Sequence, residues 1–260
     1  MSGIEFTNEI ANRLESLYMT SDVIAQREAT LKHVNLSHGD SVLDIGSGPG
    51  FLCESVAALV GAAGKVVGVD ISRDLVLRSE RRNSRPWLSF RTGDATALED
   101  PDATYDVVLC TQVAEYIADV DAAIAETRRV LKPGGVAVFV ATDWDAVIWH
   151  SEDPTRMSEV MSSWEAHCAH PRLPRSLRRH LIDAGLEVHT ASVFPILNLK
   201  WDDDSYSKGI SMVIRDFVAA RSDVDAESLS SWYDELKRLS DSGRYFFSSS
   251  RFIFRATRPH

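Results

Sequence analysis

The residues with the clearest chemical meaning form a glycine-rich loop at 46–50, inside the sequence VLDIGSGPG. An apolar run at 42–45 leads into this loop, and a helical pattern begins at Phe51. A strand, a glycine turn and a helix N-terminus in this order predict a site for a nucleoside-containing cofactor, because glycine lets the backbone turn tightly and lets a ligand approach closely. The loop residues are Gly46, Ser47, Gly48 and Gly50.

Strands and helices that alternate along the chain must position this loop. Apolar runs predict strands at 42–45, 66–70, 88–91, 105–110, 136–141, 186–193 and 244–258, and helical patterns lie at 51–60, 73–83, 119–131 and 175–184. A helix or turn is predicted at 95–99. Because apolar strands that alternate with helices indicate a parallel sheet covered on both faces, we predict an α/β fold with a doubly wound, mostly parallel, seven-stranded sheet. Ligands of such sheets bind at the carboxyl ends of the strands.

Two segments lie outside the alternating pattern. Helical periodicity covers 5–34, and we predict a helical N-terminal cap there. Residues 199–243 contain two helical stretches, at 209–220 and 225–239, and we predict a helical insertion before the last strand. We expect a single domain over 1–260, with a cap at 1–34, a cofactor-binding core at 40–142 and a substrate-covering insertion at 199–243.

Composition excludes several classes of partner. The 260 residues carry a formal net charge of −10, which disfavours binding to the phosphate backbone of a nucleic acid. No apolar run has the roughly 18–20 residues that span a bilayer, and the N-terminus lacks the pattern of a secretion signal. The three cysteines, Cys53, Cys110 and Cys168, match neither a zinc site nor a disulfide framework. We therefore expect a cytoplasmic protein with no bound metal, no nucleic acid and no membrane among its partners.

Two carboxylates help to decide which cofactor binds. A dinucleotide fingerprint would place its third glycine at position 51, where this chain has Phe51. Asp70, at the end of the second predicted strand, suits ribose hydroxyls in either type of cofactor. Asp44 lies just before the glycines, where it would repel a pyrophosphate but suit cationic groups. This favours S-adenosylmethionine, which has a sulfonium and an ammonium group and no phosphate.

Five motifs in register then identify a resemblance. The segments VLDIGSGPG, VVGVDIS, GDATAL, YDVVLCTQVAEYI and RVLKPGG resemble, over about residues 40–142, the class I S-adenosylmethionine-dependent methyltransferases, especially the ubiquinone-biosynthesis-type group that acts on small molecules. The resemblance implies a Rossmann-like methyltransferase fold. It also implies methyl transfer from S-adenosylmethionine to a small molecule, with S-adenosylhomocysteine as product.

The resemblance also implies a role for individual residues. The glycine loop would lie under the methionine part of the cofactor, with Asp44 near its ammonium group and Asp70 on the ribose. The other residues implied to bind the cofactor are Ile71 and Ser72 beside the adenosine, Asp94 and Ala95 at the adenine, Thr111, Gln112 and Val113 at the methionine part and methyl group, and Tyr18 and Arg27 at the carboxylate.

The acceptor side carries weaker signals. Trp144, Trp149 and His150 follow the fifth strand, where the active site should lie, and we interpret them as substrate-binding residues. His150 is a candidate general base because its ordinary pKa lies near neutrality, and Tyr116 is a second catalytic candidate. A base is needed only if the acceptor loses a proton, so methylation at N, O or C stays open. A monomer and a homodimer both stay open as well.

Two other classes of function remain as alternatives. A nucleotide-dependent oxidoreductase would need a turn that tolerates phosphate, and Asp44 and Phe51 argue against that. A non-catalytic protein that binds S-adenosylmethionine would have the same cofactor site but would not transfer the methyl group. Cofactor binding and turnover separate these alternatives.

Overall fold

A computed structural model describes residues 8–260, and its centre is a mixed sheet. The strands are β1 (Ser41–Ile45), β2 (Lys65–Asp70), β3 (Leu88–Thr92), β4 (Tyr105–Thr111), β5 (Leu131–Thr142), β6 (Ile148–Trp149), β7 (Glu187–Asn198) and β8 (Phe247–Thr257). Their order is β3-β2-β1-β4-β5-β8, and β7 lies on the other side of β8. Strands β1 to β5 are parallel, while β8 is antiparallel to both β5 and β7. The predicted α/β class and mostly parallel sheet are therefore confirmed.

The predicted number of strands needs one correction. The seven predicted strands are present within residues 8–260, and β6 is an additional eighth strand. It pairs with β8 through Ile148 and Ser248, so that it follows β5 along the same side of β8. A strand of two residues is too short to show the alternation from which strands are predicted.

Helices cover both faces of the sheet. They are α1 (Asn8–Tyr18), α2 (Ser21–Lys32), α3 (Phe51–Val60), α4 (Arg73–Arg82), α5 (Val120–Val130), α6 (Pro154–Trp164), α7 (Pro174–Asp183), α8 (Tyr206–Arg221) and α9 (Ala226–Asp241). Residues 95–99 lie in a turn and contain no helix. Residues 1–7 of the predicted cap lie outside the described residues.

Polar residues fix where several of these helices begin. The carboxylate of Asp119 accepts a hydrogen bond from Ala122 N (2.9 Å) at the start of α5. Asp153 does the same for α6, with Pro154 as the first helical residue. Such caps satisfy amide groups that have no partner inside the helix.

Three buried clusters form the core. Two of them pack on opposite faces of the parallel strands. The third joins α1, α6, α8 and α9 to β6–β8 and includes the buried Trp164 and Trp232. The cap and the insertion therefore share one core, and Leu17 of α1 packs directly against Gly209 of α8. Within residues 8–260, no helix is long and apolar enough to span a membrane.

Candidate functional site

The glycine loop lies at the carboxyl end of β1 in a conformation that only glycine adopts easily. Gly46 has a φ of 67°, and its amide donates to Val69 O (2.7 Å) at the end of β2. A Cβ on Gly46 would lie 2.1 Å from a methyl group of Val113. Gly48 and Gly50 also have positive φ, of 53° and 85°. The predicted turn is therefore present, and both backbone conformation and contact exclude a side chain at Gly46.

Asp70 ties this loop to the end of β2. Its two carboxylate oxygens accept hydrogen bonds from Gly48 N and from Ser72 N, both at 2.8 Å. Burial raises the pKa of Asp70, and these two hydrogen bonds oppose the rise. Each oxygen keeps a further lone pair for a ribose hydroxyl. Ser72 caps α4 by accepting from Leu75 N (3.4 Å), and Ile71 is exposed.

Asp44 is buried beneath the loop. The thiol of Cys53 on α3 donates to its carboxylate across 3.1 Å. Burial raises the pKa of Asp44 to about 7, against the lowering effect of the Cys53 hydrogen bond. A nearby cation, such as the ammonium group implied by the resemblance, would favour the ionised form. The role of Asp44 toward that group stays a prediction.

The end of β4 holds an unusual backbone conformation. Gln112 has a φ of 57°, which is rare for a residue with a side chain, and its amide donates to Val140 O (2.7 Å). Its side-chain oxygen accepts from Thr142 Oγ1 (2.6 Å). Thr111 Oγ1 and Gln112 Nε2 are enclosed and have no hydrogen-bond partner. Both groups could therefore bond to a ligand at this strand end.

Two other predicted cofactor segments have local roles. Asp94 accepts from Thr96 N and Thr96 Oγ1, both at 2.8 Å, and so closes its own turn, while Ala95 packs against the core. Arg27 donates to Tyr18 O (2.8 Å), with its guanidinium 5.3 Å from the centre of the Phe51 ring. The ring of Tyr18 is the nearest group, at 3.9 Å, to the position of a Cβ on Gly48. The cap therefore reaches the glycine loop through Tyr18.

A polar cluster beside Gln112 was missed by the sequence reasoning. Glu115 is buried, and its Oε1 accepts from Thr142 N (3.3 Å), while Oε2 has no partner. Burial raises the pKa of Glu115 to about 7. Arg251 is also buried and donates from Nη1 to Thr142 Oγ1, and its guanidinium lies 4.5 Å from the centre of the Tyr206 ring.

Tyr18 lies between this cluster and the glycine loop. Burial raises the pKa of Tyr18 to about 12, and the charge of Asp70 adds to the rise. Tyr206 and Glu115 also raise it, while Arg251 lowers it. The phenol therefore lies within electrostatic reach of both the loop carboxylate and the polar cluster.

The predicted acceptor residues separate into two groups. Tyr116 follows Glu115 in the chain and is 42% exposed, and its ring meets His167 edge to face at 5.6 Å. Trp144 is buried and stacks edge to face on Trp164 and His167. The structure gives Trp144 packing contacts, and its role with substrate stays a prediction.

Trp149 and His150 face a different surface. Trp149 donates to the hydroxyl of Tyr245 (3.1 Å), and His150 is exposed. Both line an open groove of about 590 Å³ that is bounded by Met157 and Phe246. Among the described contacts, none joins His150 to the glycine loop or to the Glu115 cluster. Its role as a base stays a prediction without geometric support.

Comparison with known proteins identifies the domain that contains the glycine loop. Residues 43–139 match the family model described as a methyltransferase domain. A 37.1 kDa protein in transposon TN4556 of Streptomyces fradiae is 30% identical over 208 residues, which cover 76% of this chain and 59% of that protein. A ubiquinone biosynthesis O-methyltransferase of Chelativorans sp. (strain BNC1) is 36% identical over 133 residues, or 50% of this chain and 51% of that enzyme.

The chain carries a class I S-adenosylmethionine-dependent methyltransferase domain. The predicted family and fold are thereby confirmed. The chain spans only 59% and 51% of the length of these two relatives.

Solved structures agree with the methyltransferase fold at low sequence identity. A phosphoethanolamine N-methyltransferase of Haemonchus contortus superposes with a TM-score of 0.62 at 17% identity, over 98% of this chain and 58% of that one. The [4+2]-cyclase SpnF superposes with a TM-score of 0.59 at 20% identity, over 91% and 82% of the two chains. One of these neighbours is named a cyclase, so the fold by itself does not define the reaction.

The matched methyltransferase domain covers only part of the site. It includes the glycine loop, Asp70 and the end of β4, but it ends before Thr142 and Arg251 and begins after Tyr18. Within the described part of the chain, no group of three or more His, Cys, Asp or Glu residues is arranged to hold a metal.

Proposed function

We propose that this chain transfers a methyl group from S-adenosylmethionine to a small-molecule acceptor and leaves S-adenosylhomocysteine. The observation that carries the proposal is the left-handed glycine loop bonded through Gly48 N to Asp70 at the neighbouring strand end (2.8 Å). The methyltransferase-domain match over 43–139 supports the same conclusion.

The residues present suit the methyl donor. Gly48 carries no side chain, and the position of a Cβ there has no described neighbour closer than the Tyr18 ring at 3.9 Å. Asp70 offers lone pairs to ribose hydroxyls, and Thr111 Oγ1 and Gln112 Nε2 offer polar atoms without other partners. The bound donor would supply a methyl group on a positively charged sulfur.

The contribution of the protein is then mainly alignment. Methyl transfer is an in-line displacement, and holding two reactants in position can contribute about 7–11 kcal/mol of the barrier in favourable cases. The rigid end of β4, fixed by the Gln112–Val140 and Gln112–Thr142 hydrogen bonds, would position the acceptor against the methyl group. Oxygen is the first acceptor atom to test, ahead of nitrogen and carbon, because the Chelativorans relative is an O-methyltransferase.

The cap and the insertion would cover the acceptor. Asp204 of the insertion accepts from Ser21 N (2.8 Å) and Ser21 Oγ (2.5 Å) of the cap. Asp22 of the cap accepts from Tyr206 N (2.8 Å) at the start of α8. These bonds join the insertion to the part of the cap that directly follows Tyr18 in the chain. They support one domain, with 1–34 and 199–243 as a joint cover.

The expected setting follows from composition and charge. We infer a cytoplasmic enzyme that acts on a small molecule, without a nucleic-acid or membrane partner, as a monomer or a homodimer. The net charge of −10 and the few scattered cysteines support this inference.

Calorimetry with S-adenosylhomocysteine tests the donor site directly. We expect the wild-type protein to bind S-adenosylhomocysteine and not NAD. Asp70→Ala should lose affinity by at least about tenfold, because charge-assisted hydrogen bonds to ribose and the tie to Gly48 N are both lost. Asp74→Ala is the matched control, since Asp74 is an exposed carboxylate in the first turn of α4.

Two results would contradict the proposal. Equal affinity of Asp70→Ala and Asp74→Ala would remove Asp70 from the donor site. Tight binding of S-adenosylhomocysteine, with no methylated product from a panel of phenols, amines and carboxylic acids, would favour a protein that binds the donor without transferring its methyl group.

A further inference from the structure

Arg251 is a buried cation at the edge of the sheet where the strand ends meet. Because β8 runs antiparallel to β5, the beginning of β8 reaches the carboxyl end of β5, and Arg251 pairs there with Thr142. Only 3% of Arg251 is exposed. The residue therefore lies at the level of the candidate site, outside the matched methyltransferase domain.

The guanidinium is held in place but has no anionic partner. Nη1 donates to Thr142 Oγ1, and the group lies 4.5 Å from the centre of the Tyr206 ring. Nε is enclosed and has no hydrogen-bond partner. Among the side chains that the structure describes, at 12–260, no carboxylate forms an ion pair with Arg251.

Glu115 is the nearest source of negative charge, but it does not neutralise the guanidinium by contact. Its Oε1 accepts from the backbone amide of Thr142, whereas Arg251 donates to the hydroxyl of the same threonine. Burial raises the pKa of Glu115 to about 7 even though Arg251 lowers it, so this carboxyl is only partly ionised at neutral pH. Arg251 also acts on Tyr18 and lowers its pKa, but burial raises that pKa to about 12, so the phenol stays protonated and supplies no negative charge.

A buried charge without a partner of opposite charge destabilises the folded protein by several kcal/mol. A binding site for an anion explains why this cost is tolerated, because the ligand would supply the missing charge. Guanidinium binds carboxylate and phosphate through two parallel hydrogen bonds, and the stacked ring of Tyr206 fixes its plane.

We propose that Arg251 binds an anionic group, a carboxylate or a phosphate, of the methyl acceptor, while Thr142 and Tyr206 hold its guanidinium in position. The inference rests on the proposed methyl transfer and adds the chemical class of the acceptor. It makes Arg251 a residue that selects the substrate.

The test titrates small anions into the protein saturated with S-adenosylhomocysteine. Benzoate and phenyl phosphate are the two anionic probes, and benzamide and benzylamine are the neutral and cationic probes of similar size. We expect one anion to raise the melting temperature and to bind by calorimetry, and the one that does so identifies carboxylate or phosphate. Benzamide and benzylamine should do neither.

Substitutions assign the effect to this side chain. Arg251→Met should lower the affinity for the anion by at least about tenfold, and Arg251→Lys should lower it less, because lysine keeps the charge and loses the planar fork. Arg255→Met is the matched control. Arg255 lies four residues further along β8 and on the same face, about 13 Å from Arg251 at about 3.3 Å per residue. It should keep the affinity.

Each outcome of these experiments supports or contradicts the role of Arg251. No binding of either anion to the wild-type protein, or equal affinities in Arg251→Met and Arg255→Met, would overturn it. Retained binding of S-adenosylhomocysteine shows that a variant is folded and that the donor site is intact. A loss of anion binding alone can therefore be distinguished from failure of the proposed methyl transfer. If Arg251→Met does not fold, the wild-type comparison of benzoate and phenyl phosphate with benzamide tests anion binding, and Arg251→Lys, with its smaller loss of affinity, tests the side chain.

Discussion

Replacement of Glu115 by glutamine should increase the free energy of unfolding, relative to wild type, as pH rises. Glu115 is almost fully buried, with one oxygen bonded to Thr142 N and the other without a partner. Burial raises its pKa from 4.5 to about 7 in the folded protein. The unfolded chain therefore loses this proton near pH 4.5, while the folded protein retains it until near pH 7.

Proton linkage gives the sign and the size of this change in stability with pH. Between these two pKa values the folded state binds more protons, so the contribution of Glu115 to stability is complete below pH 4.5 and is lost as pH rises to about 7. One pKa unit corresponds to about 1.4 kcal/mol, so a rise from 4.5 to about 7 gives a loss of about 3 kcal/mol. Glu115→Gln cannot titrate, and its stability relative to wild type should increase by about this amount between pH 4.5 and pH 8.

Urea unfolding at half-unit steps from pH 4.5 to pH 8 measures this difference. Other titrating groups, including the buried Asp44, are common to both proteins and cancel in the comparison. Glu235→Gln is the matched control. Burial alone would raise the pKa of Glu235, but hydrogen bonds from Arg156, Glu152 N and Ser151 outweigh it and lower the pKa. Because the pKa of Glu235 is lowered, its carboxylate stays ionised in the folded protein from pH 5 to pH 8, and Glu235→Gln should lose stability relative to wild type throughout that range.

A difference between Glu115→Gln and wild type that stays constant with pH would refute the reasoning. It would mean that Glu115 is ionised in the folded protein at its ordinary pKa. Arg251 would then have an effective counter-charge, and the case for an external anion would weaken as well.

Two further predictions concern the loop and its cover. Gly46→Ala should destabilise the protein by about 1–3 kcal/mol and weaken binding of S-adenosylhomocysteine in calorimetry, because of the positive φ and the 2.1 Å contact with Val113. Val113→Ala in the same chain should restore part of this loss, and no restoration would mean that φ alone sets the cost. Asp204→Ala removes both hydrogen bonds to Ser21 and should speed amide hydrogen exchange in α2, measured by mass spectrometry. Asp203→Ala, beside it, should leave the exchange of α2 unchanged.

Much of the parallel core could be predicted because local patterns determine it. The strands around the glycine loop are continuous apolar runs, and the following helices begin at polar caps or at glycine. Helix α6 was missed although Asp153, Pro154 and the buried residues Met157, Val160 and Trp164 supplied a start and a helical spacing. Strand β6 had no such signal, because two residues form no repeat.

The cluster of Glu115 and Arg251 could be predicted only in part. Glu115 follows β4 closely, and the rule that ligands meet strand ends could have marked it. Arg251 lies in the first half of β8, and it reaches the same edge only because β8 is antiparallel to β5. That orientation depends on pairing with residues more than 100 positions earlier, which no local pattern encodes.

The two halves of the site therefore differ in how the chain builds them. The proposed donor half comes from neighbouring parallel strands, between Asp44 and Val113, and the methyltransferase-domain match covers these residues. The proposed acceptor half joins Glu115, Thr142 and Arg251 at the sheet edge, with the ring of Tyr206 from the insertion against the guanidinium. A change at Tyr206 of the insertion can alter the proposed acceptor half without a direct contact to the glycine loop. Selectivity for the acceptor should therefore respond to substitutions at Arg251 and Tyr206 that leave the affinity for S-adenosylhomocysteine unchanged.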